Sequence, residues 1–279
     1  MIKTVITAAG KGTRLLPITK ELPKEMMPIF SKMYGKDHVV MPILQYIFEQ
    51  LYSSNLRDYC FVVGREKRSI EDHFTPHEEY LKDIPEKNKM IMKSFYKKLD
   101  DSHLVWINQN KPRGFGDAVL RTERYVNKDN FIVHAGDVVI TSKNKHPIVR
   151  LIETANNDQT IEAVLLCKKI KDAKRYGVPK INIISKSLYN VEEVEEKPLK
   201  PKSNLGLLPL YFFKPSIFNC LKKIKPDKGN EFQLTDAIQK LIEDGHKVVA
   251  IPLNSNEVEL DVGTVESYKT SLDLSYKIA

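Results

Sequence analysis

The residues best suited to chemistry crowd the start of the chain. A β-rich apolar run, Ile2-Lys3-Thr4-Val5-Ile6-Thr7, leads into Ala8-Ala9-Gly10-Lys11-Gly12-Thr13-Arg14-Leu15. Pro17 follows, and then Pro23-Lys24-Glu25-Met26-Met27-Pro28. A strand that ends in a glycine turn presents backbone N–H groups to phosphate oxygens. Glycine at Gly10 and Gly12 removes the Cβ atoms that would block the approach of a phosphate. Arg14 and Lys24 add positive charge suited to a polyphosphate. Two familiar glycine motifs are excluded. A Walker loop needs Lys and Ser or Thr after its second glycine, where Thr13-Arg14 stands, and a dinucleotide fingerprint needs a third glycine where Leu15 stands. A bare G-x-G could be an ordinary turn with surface basic residues, but the combination with P-K-E-M-x-P is far more restrictive. The start reads as nucleotide-handling.

Two aspartates could join this chemistry. Asp137 follows the apolar run Phe131-Ile132-Val133-His134-Ala135, and Asp261 follows Glu257-Val258-Glu259-Leu260 and precedes Gly263. In open α/β sheets ligands bind beyond the carboxyl ends of strands, which is where Asp137 falls. Magnesium takes one or two carboxylates together with phosphate oxygens and water, so a pair of aspartates from distant parts of the chain suits it. Either one alone could equally be a turn or N-cap aspartate. Glu196 and Lys197 lie in Glu195-Glu196-Lys197-Pro198, within an acidic strip that could simply be solvated. Neighbours in a strand point to opposite faces, so a bulge or the proline must turn the chain if both residues serve one site.

The elements that must position these residues alternate between strand and helix. Candidate strands are Ile2–Thr7, Tyr59–Val63, Leu104–Ile107, Asn130–His134, Ile161–Leu166, Leu205–Phe213 and Lys247–Leu253. Helical spacing appears in Pro42–Ser53, Gly116–Val126, His146–Ala155 and Gln233–Asp244. This alternation predicts a three-layer, Rossmann-like α/β fold with a mostly parallel central sheet. Two stretches break the rhythm. Residues 76–101 read as a charged amphipathic helix pair, and residues 168–201 as a β-hairpin over the cleft. The chain reads as one domain over 1–279.

Composition narrows the class. At 279 residues and 42% hydrophobic content the chain can bury a full core. Nothing in it approaches the ~18 consecutive apolar residues of a membrane span, and the N-terminal strand is unlike a secretory signal. Cys60, Cys167 and Cys220 are widely spaced in apolar contexts, which predicts buried free thiols in a reducing cytoplasm. The formal charge of +8 comes mostly from dispersed lysines mixed with acids. Without an arginine-rich tract or an aromatic platform this argues against nucleic acid as the partner. It suits anionic small substrates instead.

The opening stretch resembles the sugar nucleotidylyltransferases, specifically the bacterial-type UTP–glucose-1-phosphate uridylyltransferases. The resemblance runs the length of the chain through Ile70-Glu71-Asp72-His73-Phe74, Gln109 with Gly114-Phe115-Gly116-Asp117-Ala118-Val119, and Gly136-Asp137-Val138. It continues in Tyr176-Gly177-Val178, Glu195-Glu196-Lys197-Pro198, Glu231-Phe232-Gln233-Leu234-Thr235-Asp236-Ala237 and Leu260-Asp261-Val262-Gly263-Thr264. It implies transfer of a uridylyl group from UTP to glucose 1-phosphate, giving UDP-glucose and pyrophosphate, with Mg2+ as cofactor and a homo-oligomeric protein. It assigns Arg14, Lys24 and Lys197 to catalysis, and Asp137 and Asp261 to the metal. Ala8, Ala9, Gly10, Gly12, Thr13, Gln109 and Gly114 go to the nucleotide, and Gly177 and Glu196 to the sugar. The Gln109 amide offers both a donor and an acceptor, which suits uracil, with one N–H between two carbonyls. Lys11 and Asp117 depart from the family pattern, and helix capping is the expected role of Asp117. The same chemistry with dTTP, CTP or another sugar 1-phosphate stays open, as does an inactive nucleotide-sugar-binding regulator. Retention of Arg14, Lys24, Asp137, Lys197 and Asp261 speaks against the regulator.

Overall fold

The computed structural model describes residues 2–35 and 37–279. The first part of the chain forms β1 (Ile2–Ala8), β2 (Pro28–Ser31), β3 (Val39–Pro42), α1 (Ile43–Ser53), β4 (Asp58–Val63), α2 (Arg68–His73), α3 (Glu86–Asp100) and β5 (His103–Asn108). Then come α4 (Phe115–Leu120), α5 (Glu123–Val126), β6 (Asn130–Ala135), β7 (Val138–Ser142), α6 (Pro147–Asn157) and β8 (Ile161–Lys169). The last part holds β9 (Gly177–Ser185), β10 (Leu188–Glu196), β11 (Leu205–Phe213), α7 (Ser216–Leu221), α8 (Leu234–Glu243), β12 (Lys247–Pro252), β13 (Glu257–Asp261) and α9 (Val265–Ile278).

The described residues build a nine-stranded sheet in the order β5-β4-β1-β6-β11-β8-β12-β10-β9. By their pairing, β11 and β10 oppose the other strands, so the sheet is mixed but mostly parallel, as the alternation predicts. Its central strands are near-continuous apolar runs because both faces are covered. Side-chain alternation splits each strand between two cores. Ile6, Ala8, Phe61, Val63 and Ile132 join α1, α3 and α6 on one face, through Ile47, Phe95 and Leu151 among others. Val5, Cys60, Val62, Phe131 and Val133 join α4, α7 and α8 on the other, through Val119, Phe218 and Ile238. The three layers follow directly from that alternation.

Local details refine the expected elements. The single helix expected over Gly116–Val126 is two, broken where the buried Thr122 hydroxyl bonds back to Val119 O at 2.7 Å. The stretch at 76–101 holds a short 3-10 segment, Glu78–Asp83, followed by the long helix α3. β9 and β10 pair as antiparallel neighbours and extend the main sheet through β12. β13 pairs with β7 in a separate two-stranded sheet, with Asp261 opposite Val138. The Val262 N–H donates to Asp137 O at 3.0 Å. That small sheet brings two carboxylates from distant sequence to one place. α9 then starts from a capping box in which Thr264 and Ser267 satisfy each other's backbone N–H groups. No helix of the described residues is long and apolar enough to cross a membrane.

Candidate active site

The glycine turn sits at the carboxyl end of β1, beside the end of β6. Gly12 has φ +67°, a left-handed conformation that favours glycine, and a Cβ there would lie 3.1 Å from Thr19. The Thr19 hydroxyl locks the turn by donating to Gly12 O at 2.8 Å. At Gly10 a Cβ would lie 3.3 Å from the Lys24 ammonium, so glycine makes room for that charge. Lys24 stands on a 3-10 turn, Lys24–Met26, and its Nζ makes a short ion pair with Asp137 Oδ2. Burial alone would lower the Lys24 pKa, but the charges of Asp137 and Glu25 outweigh it and hold it up. Burial would likewise raise the Asp137 pKa, and the Lys24 ammonium instead holds it below the usual carboxylate range.

Two adjoining cavities open here, of about 590 and 340 Å³, both within the ~300–1,000 Å³ range of small-molecule sites. The larger is lined by Ala9, Gly10, Lys11, Gly12, Thr13, Arg14, Lys24, Gln109, Gly114 and Asp137. The smaller is lined by Arg14, Gly177, Glu196, Lys197 and Asp261, among others. Arg14, Phe115, Val138 and Pro209 border both, so the two are halves of one cleft. Ala8 lies behind this wall, fully buried in β1 opposite Val63.

Each half contributes one aspartate. Burial pushes the Asp261 carboxyl up, and repulsion from Asp137 pushes it further. Like charges brought together in this way are an arrangement that a cation would relieve. No group of three or more His, Cys, Asp or Glu residues that could hold a metal occurs among the described residues. A magnesium site needs fewer protein ligands than that, because substrate phosphates and water complete the shell. The hard-oxygen donor set of Asp137 and Asp261 therefore fits that ion.

Gln109 follows β5 and is 4% exposed. Its amide nitrogen donates to Gly114 O at 3.1 Å and to Asp117 Oδ2 at 2.8 Å, so both N–H groups are committed and only Oε1 is left to accept. Asp117 does not cap a helix, contrary to expectation. It lies inside the first turn of α4, whose N-cap is Gly114 and has no side-chain cap. Its carboxylate is spent on Gln109, on Arg113 at 3.1 Å and on Arg121 at 2.9 Å. Burial alone would raise its pKa, and these partners hold it down.

On the other side of the cleft, β10 ends at Glu196, and Lys197 adopts φ +47°. That left-handed residue is the turn that pleating requires for both side chains to reach one cavity. Its N–H donates to Tyr176 O at 3.0 Å, and its Nζ lies 3.2 Å from Glu196 Oε1. The Thr235 hydroxyl donates to Glu196 Oε2 at 2.7 Å. A Cβ on Gly177 would meet Thr235 Oγ1 at 3.0 Å and Glu196 Oε2 at 3.3 Å, so glycine lets these strands and α8 close on one another.

Several residues in the cleft escaped the sequence reading. Arg175 Nη2 is 3.5 Å from Asp261 Oδ2, Lys174 lines the smaller cavity, and Lys168 pairs closely with the largely buried Glu259. Arg175 immediately precedes the Tyr176-Gly177-Val178 block, and Glu259 is two residues from Asp261 on the same face of β13. Those adjacencies were the available signals.

Residues 3–275 match the family described as Nucleotidyl transferase. The chain belongs to that family. This nucleotidyl transferase is similar to UTP–glucose-1-phosphate uridylyltransferase 2 of Streptococcus pyogenes serotype M3, with 36% identity over 99% of this chain and 90% of that protein. It is also 36% identical to the UTP–glucose-1-phosphate uridylyltransferase of Streptococcus pneumoniae serotype 4, over 99% and 90% of the two chains. Among solved structures it resembles a UDP-glucose pyrophosphorylase complexed with UDP-glucose. The TM-score is 0.85 and the identity 27%, and the likeness covers all of both chains.

Proposed function

We propose that this nucleotidyl transferase moves a uridylyl group from UTP to glucose 1-phosphate, forming UDP-glucose and releasing pyrophosphate. The observation that carries this reading is the divided cleft. A glycine turn with Lys24 forms one half, Gly177, Glu196 and Lys197 form the other, and Arg14 borders both. The relatives' names and the UDP-glucose complex supply the identity of the two substrates.

In this reading the triphosphate lies along the Gly10–Arg14 turn, where backbone N–H groups and the Lys24 ammonium receive its oxygens. Glu196 accepts from sugar hydroxyls, and Lys197 holds the sugar phosphate against the α-phosphate. An oxygen of the sugar phosphate attacks the α-phosphorus, and the bond from that phosphorus to the oxygen bridging it to the β-phosphorus breaks. The nucleophile is already an anion, so no general base is needed. The residues act by positioning two anions and neutralising the charge that gathers between them. Asp137 and Asp261 would hold magnesium, which when bound supplies further positive charge at the phosphates. The family resemblance also suggests a cytoplasmic, homo-oligomeric protein.

Base choice rests on Gln109. With both N–H groups occupied, its Oε1 can accept the N3–H of uracil, whereas cytosine presents an acceptor at that position. Thymine shares uracil's edge and differs by one methyl, worth only ~1–3 kcal/mol in an apolar pocket. The reading therefore ranks UTP and dTTP above CTP. Pyrophosphate release across a grid of nucleoside triphosphates and sugar 1-phosphates tests it.

A further inference from the structure

Lys67 lies in the loop between β4 and α2, yet it is only 7% exposed. Its Nζ stands 2.8 Å from Oε2 of Glu25, itself 1% exposed. A buried lysine and glutamate need a reason to be there, since desolvating two charges is costly unless their geometry repays it. Glu25 is the middle residue of the 3-10 turn that carries Lys24, and its Cγ would lie 3.2 Å from a Cβ on Gly136, next to Asp137. The ion pair thus ties the Lys24 turn to the loop after β4, while the Glu25 side chain packs beside Gly136 and the loop that bears Asp137. We propose that Lys67 is a positioning residue, whose ion pair with Glu25 fixes the Lys24–Met26 turn and thereby holds the Lys24 ammonium at the phosphate side of the cleft.

Lys24 has four side-chain carbons and would wander if its turn were free. Two backbone bonds define the turn, Met26 N–H to Pro23 O at 2.8 Å and Met27 N–H to Lys24 O at 3.1 Å. They are short-range; the Ile43 N–H to Met27 O bond at 3.0 Å ties the end of the turn to α1, and the buried Glu25–Lys67 ion pair ties its middle to the loop after β4. Without Lys67 the Glu25 carboxylate would be left in the interior next to an absent partner, and the turn would shift to bring it to water. The charge on Lys24 would survive, but its placement would not.

The kinetic arm of the test rests on the uridylyl-transfer reading, and the exchange arm does not. Lys67→Met should lower kcat by about 10²-fold, the scale of a misplaced catalytic group, while KM for glucose 1-phosphate stays within about twofold. Amide hydrogen exchange at Met26 and Met27 should accelerate several-fold. Lys67→Arg, which can still pair with Glu25, should return both readouts most of the way to wild type. If Lys67→Met does not fold, the double variant E25Q/K67M removes both buried charges and should show the same loss of kcat and the same faster exchange. Near-normal kcat, unchanged exchange of the turn, or failure of Lys67→Arg to recover either would overturn the assignment. A wild-type protein that releases no pyrophosphate from UTP and glucose 1-phosphate would sink the functional reading, and exchange would still decide the role of Lys67.

Discussion

Lys197 Nζ and Glu196 Oε1 lie 3.2 Å apart across a left-handed backbone turn that puts two neighbouring strand residues on the same cavity. Their roles should nevertheless separate. Glu196→Ala should raise KM for glucose 1-phosphate and leave UTP affinity nearly unchanged, because its proposed partner is the sugar. Lys197→Ala should reduce kcat with every sugar phosphate accepted, because its proposed partner is the phosphate common to all. Initial-rate kinetics with both substrates varied read both outcomes, and a Glu196 variant impaired in UTP binding would contradict the sugar assignment.

Lys24 is held on a stiff turn, beside a glycine that clears its path and in contact with Asp137. Removing a preorganised charge at a developing oxyanion costs about 10²–10³ in rate. Lys24→Ala should lose that much kcat with its circular dichroism unchanged. Turnover near wild type would show the lysine to be dispensable.

Asp137 and Asp261 are joined by the Val262–Asp137 backbone bond, and the Asp137 charge pushes the Asp261 carboxyl up. If they hold one magnesium, Asp137→Ala and Asp261→Ala should each abolish turnover, and the double variant should be hardly worse. Isothermal titration with magnesium in the presence of UTP should show the same loss of binding in all three. Additive kinetic losses would argue against a shared ion.

Asp117 fixes the Gln109 amide by accepting one of its N–H bonds. Asp117→Ala should free the amide to flip, so that it could donate toward the N3 of cytosine. The preference for UTP over CTP in kcat/KM should fall by about 10-fold, the scale of one hydrogen bond to a buried group. Competition assays with the two nucleotides would show it. An unchanged ratio would mean that the base is read elsewhere.

Stability should depend on pH through three histidines, His134 buried and His73 and His146 half-buried. Burial lowers the pKa of His73, His134 and His146 to about 4 in each case. Their unfolded value is about 6.5, so between about pH 6.5 and 4 the unfolded chain binds protons that the folded chain refuses. Each histidine then costs up to about 1.4 kcal/mol per pH unit as pH falls through that window. Denaturant midpoints measured at pH 7, 6 and 5 should fall steadily, and a flat profile would contradict the burial argument.

Much of this was legible in the sequence because the phosphate-side residues lie in contiguous blocks. Gly10, Gly12, Arg14 and Lys24 sit within one short stretch, and Asp137 directly follows an apolar strand. The three layers were legible for the same reason, since strand and helix periodicities alternate locally. What was hidden depends on contacts across space. The Lys67–Glu25 and Lys168–Glu259 pairs span 42 and 91 positions, which no local pattern reveals. Asp117 was misread because an aspartate in the first turn of a helix looks like a cap, while its real partners are set by where Gln109 and Arg121 come to rest. A turn at Glu196–Lys197 was required by pleating, but the left-handed φ +47° of Lys197 that makes it was not legible.

A cleft divided in this way would join UTP to glucose 1-phosphate. The most direct measurement is pyrophosphate release by the purified full chain with magnesium, across UTP, dTTP, CTP, ATP and GTP and several sugar 1-phosphates. The highest kcat/KM is expected for UTP with glucose 1-phosphate, dTTP next, and CTP well below both. No pyrophosphate with UTP and glucose 1-phosphate, or a clear preference for CTP or a purine nucleotide, would contradict it.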